Sequence, residues 1–412
     1  MTIMKPFQSI RPRADLASRI AALPYDVYNS SEAREVVSRN EFSFLKIDRA
    51  ETLLPEGTDM YSPQVYEKAK VTLERMIEDG AFVQDMENCY YIYELTMDEC
   101  RQTGLVGCAS IDDYLNGTIK KHENTREDKE LDRISHVDTL SAQTGPIFLA
   151  YRAQKELNAL IQTAKAETPI YDFISEDGIG HRVWMISHAD IVTQIGHIFD
   201  GIPALYIADG HHRAASAVKV GLKRREENPD FDGSEEFNYF LSVAFPDEEL
   251  RIFDYNRVVK DLRNYSPEEF MTILRESFEI TPCGKTAVRP NKKGCFGMYL
   301  DGSWYQLELY DDMKSDDPVD GLDVSLLQTL VLSPILGIRD PKTDERIRFV
   351  GGIRGLDFLS SCVDEQSGGV AFSMYPTSMA ELLAVADAGR LMPPKSTWFE
   401  PKLRSGLFIH SF

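Results

Sequence analysis

Apolar and polar positions follow two kinds of pattern along the chain, and each predicts a different element. In "SPQVYEKAKVTLERMIEDG" apolar residues recur every three or four positions between Ser62 and Gly80, which predicts an amphipathic helix. The runs "CYYIYELTM", "PIFLAYR" and "ALYIAD" are short and mostly apolar, which is typical of buried strands. Such elements follow one another without a strict strand–helix–strand order. The pattern therefore favours an α+β fold, with mixed sheets and flanking helices, over a doubly wound parallel sheet.

The length of the chain predicts more than one lobe. At roughly 100–200 residues per domain, 412 residues correspond to two or three lobes. A new series of helix and strand patterns begins with "SPEEFMTILRESF", near Ser266. We therefore predict an N-terminal α+β region over residues 1–265 and a C-terminal α+β lobe over residues 266–412.

Charge and composition narrow the class of protein. The formal net charge of −21 argues against gripping nucleic acid or anionic membranes, although a local basic pocket is compatible with it. No apolar run approaches the ~18 residues of a membrane span, and the N-terminus lacks the apolar stretch of a signal peptide. The six cysteines include no C-x-x-C pair. These features predict a cytoplasmic protein with reduced thiols, and they leave homo-oligomerisation open.

The stretch "ALYIADGHHRAAS" joins a predicted strand to a predicted helix at polar residues. Gly210 can adopt backbone conformations closed to other residues, and the first N–H groups of the helix would attract an anion. His211, His212 and Arg213 add hydrogen-bond donors for phosphate at that point. Asp209 has three candidate roles: capping the helix, binding Mg²⁺ or accepting a proton. The alternative is a purely structural junction, with a capping aspartate and surface histidines.

The segment "KKHENTREDKELDR" holds a second group of candidate residues. Glu123 is the best candidate for a general base, whereas His122 and Arg133 are candidate ligands of phosphate or carboxylate. A solvated helix surface of mixed charge would have the same composition, so that interpretation also stands.

Near the C-terminus, "PPKSTWFEPK" offers an ammonium group and two hydroxyls in a row. Lys395, Ser396 and Thr397 are therefore candidate phosphate ligands. The glycine frame of a P-loop is missing, which excludes that kind of site. The alternative is a surface loop anchored by Trp398 and Phe399.

Four separated stretches resemble the bacterial and archaeal domain-of-unknown-function family 1015. They are "LPYDV", "IKKHENT…DR", "ADGHHRAAS" and "MPPKSTWFEPKLRSGL", in the family's order over nearly the whole chain. More distantly, "DGHHR" resembles the motif of ParB/sulfiredoxin-type nucleotide-binding domains, above all the free serine kinases, where it lies at the nucleotide and phosphoserine site. This resemblance implies a ParB/sulfiredoxin-like core within residues 1–265. Sulfiredoxins have cysteine where this chain has His211, so their sulfinic-acid chemistry is not expected.

These observations lead to one hypothesis and two alternatives. The hypothesis is a phosphotransferase that uses ATP or ADP with Mg²⁺ and acts on a small hydroxyl metabolite, with free serine or phosphoserine implied by the kinase resemblance. Arg213 and His212 would neutralise phosphate, Asp209 would bind Mg²⁺ or position the nucleophile, and Glu123 would deprotonate the acceptor. One alternative is a non-catalytic, nucleotide-binding regulatory protein. The other is a phosphate-ester hydrolase with His211 as its base.

Overall fold

The structure, a computed structural model, describes residues 1–366 and 368–412. The helices of the described chain are α1 (Ala17–Ile20), α2 (Ser30–Arg39), α3 (Leu45–Asp48), α4 (Pro63–Glu78), α5 (Ile111–Leu115), α6 (Glu127–Leu140), α7 (Lys155–Ala164), α8 (Ala189–Asp200), α9 (His211–Glu227), α10 (Pro267–Leu274), α11 (Asp323–Leu327), α12 (Leu356–Gln366) and α13 (Met379–Asp387).

The strands alternate irregularly with these helices. They are β1 (Met4–Lys5), β2 (Ile10–Pro12), β3 (Phe82–Gln84), β4 (Tyr90–Met97), β5 (Cys100–Ser110), β6 (Ile119–Lys120), β7 (Ala142–Gln143), β8 (Ile147–Tyr151), β9 (Tyr171–Ile174), β10 (Gly180–Ile186), β11 (Leu205–Asp209), β12 (Tyr239–Pro246), β13 (Ile252–Phe253), β14 (Tyr255–Val259), β15 (Phe278–Gly284), β16 (Cys295–Leu300), β17 (Ser303–Leu309), β18 (Ile347–Gly351), β19 (Val370–Ser373), β20 (Trp398–Phe399) and β21 (His410–Ser411). The predicted α+β class is confirmed.

The chain divides into two units, each with its own sheets. The first contains Met1–Leu250 together with Pro401–Phe412, and the second contains Arg251–Glu400. The division predicted from the sequence, into residues 1–265 and 266–412, stays a prediction. The two units differ from that division in two ways: the second unit begins at Arg251, and the segment Pro401–Phe412 belongs to the first unit.

The large sheet of the first unit has the strand order β6-β11-β8-β12-β5-β4-β10-β9, and β1 pairs with β5. The pairs β6–β11 and β8–β12 are parallel, whereas the other pairs are antiparallel. Every residue of β8 and β12 is buried, which explains why their sequences are apolar runs rather than alternating patterns. Because β6 and β11 are parallel neighbours, their carboxyl ends lie at the same edge of the sheet. The beginning of β8 lies at that edge too, because β8 runs antiparallel to β11.

The segment Pro401–Phe412 is held in the first unit by backbone pairing at several points. β21 pairs with β7, Ile409 forms a bridge with Ile10, and Ser405 forms one with Ala22. Gly406 donates its N–H to the carbonyl of Thr144 at 3.1 Å. This last segment therefore forms part of the same core as residues near the beginning of the chain.

The second unit is built on a sheet with the order β15-β17-β16-β19-β14-β18, in which all the pairs are antiparallel. Its core includes Val258 on β14, Trp304 on β17 and Leu359 on α12. A separate short pair joins β13 to β20. Asp301 and Gly302 form the turn between β16 and β17, and both residues have positive φ.

Within the described residues, every helix falls short of the length or the apolar character needed to cross a bilayer.

Gly406 allows a test of how tightly the last segment is packed. Its φ is +81°, and a Cβ atom there would lie 2.4 Å from the ring of Phe44. Gly406→Ala should therefore lower the free energy of unfolding by about 2–5 kcal/mol, because the left-handed backbone and the collision with the ring add up. The measurement is urea denaturation followed by circular dichroism.

Gly57→Ala is the matched control, because Gly57 has φ +86° and a Cβ atom there would meet nothing within 4 Å. It should cost only about 1–2 kcal/mol, the backbone contribution alone. Equal losses in the two variants would contradict tight packing of Gly406 on Phe44.

Candidate functional site

The junction of β11 and α9 is a tight turn at Gly210. Its φ of +94° is in the left-handed region, and a Cβ atom there would lie 3.0–3.2 Å from guanidinium atoms of Arg213. Glycine is thus required both by the backbone and by the close approach of Arg213. The 17-residue helix α9 begins directly after it at His211, so the N-terminal amides of the helix lie at the edge of the sheet.

Asp209 is held at this turn by two hydrogen bonds. One carboxylate oxygen accepts the N–H of Gly210 at 2.8 Å, and the other accepts from the ammonium of Lys402 at 3.1 Å. Burial alone would raise the pKa of Asp209, but the charges of Lys402 and Arg213 outweigh burial and hold that pKa well below its usual range. The carboxylate is therefore ionised at neutral pH and is a weak proton acceptor.

The surroundings of Asp209 suit Mg²⁺ only in part. No group of three or more histidine, cysteine, aspartate or glutamate side chains in the described chain could hold a metal. An ion at Asp209 would have to share the carboxylate with Lys402 and take its other ligands from water or phosphate oxygens.

His122 and His211 face each other beneath the turn. Both are buried, and their rings meet edge to face with centroids 4.5 Å apart. Burial lowers the pKa of His122 to about 4 and that of His211 well below its ordinary value, so both rings are neutral at pH 7. Nε2 of His211 has no hydrogen-bond partner among the described residues. At pH 7 His122 would therefore bring no positive charge to a phosphate.

Glu123 directly follows His122 in the loop between β6 and α6, and it is only partly buried. Because β6 and β11 are parallel neighbours, this loop lies at the same sheet edge as the turn at Gly210. His212 links the two: its Nε2 accepts the backbone N–H of Arg126 at 2.9 Å. Burial lowers the pKa of His212, so this imidazole holds the loop in place as a neutral acceptor.

One cavity in the first unit brings together residues of all four quoted motifs. Its volume is about 30 Å³, and it is partly open to solvent. The residues that line it are Pro24, Tyr25, Asp48, Arg133, His136, Val137, Gln143, Thr144, Gly145, Ile147, Arg213, Ala217, Leu241 and Ser405. Among the site residues predicted from the sequence, Arg133 and Arg213 thus line the same cavity.

The two arginines reach this cavity from different helices. Arg133 on α6 lies over the ring of Tyr25, 3.9 Å from its centroid, and pairs with Asp132 at 2.9 Å. Arg213 on α9 donates to the carbonyl of Pro146 at 2.6 Å, and it forms no ion pair within 4 Å in the described chain. The positive charge of Arg213 is therefore available to an anion in the cavity.

Lys395, Ser396 and Thr397 belong to the second unit. Lys395 is exposed and has φ +58°, whereas the hydroxyl of buried Ser396 donates to the carbonyl of Pro393 at 2.6 Å. The carbonyl of Ser396 accepts from Thr377 at 3.0 Å. The Ser396 hydroxyl thus stabilises its own loop in this structure.

Sequence reasoning missed several polar residues of the site in the first unit. Asp48, Thr144 and Ser405 line the cavity, and Lys402 pairs with Asp209. Lys402 and Ser405 lie in the quoted "MPPKSTWFEPKLRSGL", where the basic residue after the last proline was a usable signal. Asp48 and Thr144 lie in stretches without any recognisable motif.

The chain is an α+β protein with a cavity lined by charged side chains at a strand-to-helix turn. Residues 4–325 match the family model described as "Protein of unknown function (DUF1015)", so the chain belongs to that family. A comparison with curated proteins finds no match.

Similar solved structures are distant. C-terminally truncated SbnI from Staphylococcus aureus is 13% identical, with a TM-score of 0.39 over 73% of this chain and 87% of that one. A mutant of free serine kinase in complex with AMP is 12% identical, with a TM-score of 0.36 over 72% and 90% of the two chains. A conserved hypothetical protein from Pyrococcus furiosus is 14% identical, with a TM-score of 0.36 over 73% and 92%. Likenesses this distant carry no functional argument.

The buried histidine His122 makes stability depend on pH in a defined direction. The pKa of His122 is about 4 in the folded chain, against 6.5 for a histidine in the unfolded chain. Its contribution to the free energy of unfolding is therefore present above pH 6.5 and is lost as the pH falls towards 4. His122→Gln should remove up to about 3 kcal/mol of this pH-dependent change. Urea denaturation at pH 7.5, 5.5 and 4.5 measures it.

The control variant is His197→Gln, because the side chain of His197 is 77% exposed. It should keep the wild-type slope of unfolding free energy against pH. A His122→Gln variant with that same slope would show that His122 is not buried in its neutral form.

Proposed function

We propose that the protein is a cytoplasmic phosphotransferase that binds a nucleotide phosphate at the turn of β11 and α9 and phosphorylates a small hydroxyl metabolite. The observation that carries this proposal is the meeting of Arg133 and Arg213 in one cavity beside the N-terminus of α9. Phosphoryl transfer requires from a protein mainly positioning and neutralisation of phosphate charge. Two guanidinium groups from separate helices, with the hydroxyls of Thr144 and Ser405 beside them, supply both.

Each remaining predicted residue has a role in this proposal. Arg213 and the amides that follow Gly210 hold phosphate oxygens, and His211 offers them its unpartnered Nε2. Glu123 takes the proton of the acceptor hydroxyl, whose oxygen forms a bond to phosphorus as the bond to the leaving nucleotide oxygen breaks. The proton ends on Glu123, and the nucleotide leaves one phosphate shorter.

The other predicted ligands enter this reaction less directly. Mg²⁺ bound with the nucleotide would neutralise phosphate charge, with Asp209 as its protein ligand. His122 supports the ring of His211 rather than binding phosphate as a cation. Lys395, Ser396 and Thr397 stay predicted phosphate ligands, which alanine variants can test.

Free serine is the first acceptor to test, because "DGHHR" resembles the free serine kinase motif. The assay incubates the full chain with L-serine, Mg²⁺ and either ATP or ADP, and measures phosphoserine and the released ADP or AMP. Arg213→Met should lower kcat/KM by about 10²–10³-fold, as expected for a lost charge-stabilising group. Glu123→Gln should lower kcat by about 10²–10⁴-fold with little change in KM.

The matched control is Arg275→Met, which removes one positive charge from an exposed position of the second unit. It should leave activity unchanged. Saturable ATP binding that needs Arg213, without turnover of serine or other small hydroxyl compounds, would replace this proposal by a regulatory nucleotide-binding protein. Release of phosphate from phosphoserine without any nucleotide would replace it by a hydrolase.

A further inference from the structure

The cavity holds a buried carboxylate that the proposed reaction does not use. Asp48, the last residue of α3, is only 6% exposed and lines the cavity that Arg133 and Arg213 also line. Its carboxylate accepts one hydrogen bond, from the hydroxyl of Thr144 at 2.9 Å. No cation lies within 4 Å of it in the described chain, so it has no ion-pair partner there.

Neither neighbouring basic side chain forms a direct ion pair with Asp48. Arg133 acts on Asp48 over a longer distance, and its guanidinium is paired with Asp132. His136, one turn further along α6, bonds the carbonyl of Ile47 through Nε2 at 3.2 Å. Burial lowers the pKa of His136 to about 4, so this ring is neutral at pH 7.

A buried carboxylate without a positive partner is costly unless a ligand provides one. The cavity therefore carries opposite charges on its wall, with the guanidinium of Arg213 available to an acidic group and Asp48 available to a basic group. A plain anion would gain from the arginines but would be repelled by Asp48. A ligand with an acidic group and an ammonium group would satisfy both.

We propose that Asp48 binds the ammonium group of the metabolite, so that the cavity selects amino acids and their phosphate esters over the corresponding hydroxy acids. This inference rests on the proposed function for the acidic end of the ligand. It adds a residue that decides which class of hydroxyl compound is accepted.

The test compares two probes that differ only at this group. O-phospho-L-serine has an ammonium where 3-phospho-L-glycerate, which has the same configuration, has a hydroxyl, and isothermal titration calorimetry measures the affinity of each for the full chain. The wild-type protein should bind phosphoserine at least about tenfold more tightly, a difference of about 1.4 kcal/mol. Asp48→Asn, which keeps the shape but removes the charge, should reduce the ratio of affinities to near one.

Asp230→Asn is the matched control, because Asp230 is an exposed loop residue of the same unit. It should keep the wild-type ratio. If Asp48→Asn does not fold, Asp48→Glu is the second variant, and it should retain the preference for phosphoserine with weaker binding, because its charge is displaced but present.

The outcomes separate this inference from the proposed function. Equal affinity of the wild-type protein for the two probes would overturn the role of Asp48 and leave the phosphate site intact. An unchanged preference in Asp48→Asn would also overturn it. Failure of both probes to bind would overturn the inference and the proposed phosphate site together.

Discussion

The cavity depends on the seating of the Arg213 guanidinium beside two glycines. The planar guanidinium can lie this close to the backbone only because neither glycine has a side chain. A Cβ atom at Gly210 would lie 3.0 Å from a guanidinium nitrogen of Arg213, and a Cβ atom at Gly145 would lie 3.4 Å from another. The hydrogen bond that Arg213 donates to the carbonyl of Pro146 joins the beginning of α9 to the beginning of β8. Because β8 and β11 are antiparallel neighbours, this bond spans two strand ends that the sheet already places together.

The charge of the site lies on arginine, lysine and aspartate rather than on histidine. Burial holds His122, His136 and His211 in their neutral forms, whereas Asp209 is kept ionised by Lys402 and Arg213. Arg133 and Arg213 are permanently charged side chains of the cavity. The chain as a whole, by contrast, has a formal net charge of −21. A small ligand that enters the cavity thus meets fixed charges of both signs, the guanidinium of Arg213 and the carboxylate of Asp48.

The local elements were predictable because short-range patterns determine them. The helix expected between Ser62 and Gly80 is α4, Pro63–Glu78, and the run "ALYIAD" is the buried strand β11. The tight turn at Gly210 was predictable from the residue types at the junction, whereas the meeting of Arg133 and Arg213 in one cavity was not. Whether a histidine is charged was not predictable, because this depends on burial by segments distant in sequence.

The role of Asp48 was also out of reach of the sequence. Its partner Thr144 lies 96 positions further along the chain, and no pattern near either residue indicates the contact. Lys402 and Asp209 are 193 positions apart. Such pairings are set by the order of strands in the sheet, which hydrophobic periodicity does not determine.

The return of Pro401–Phe412 to the first unit imposes an order on the assembly of the protein. Ser405 lines the cavity and Lys402 holds Asp209, yet both leave the ribosome only after the whole second unit has been synthesised. A nascent chain that has finished the β11–α9 turn therefore still lacks one wall of its cavity. Docking of Pro401–Phe412 can therefore complete the cavity only after the second unit has been translated.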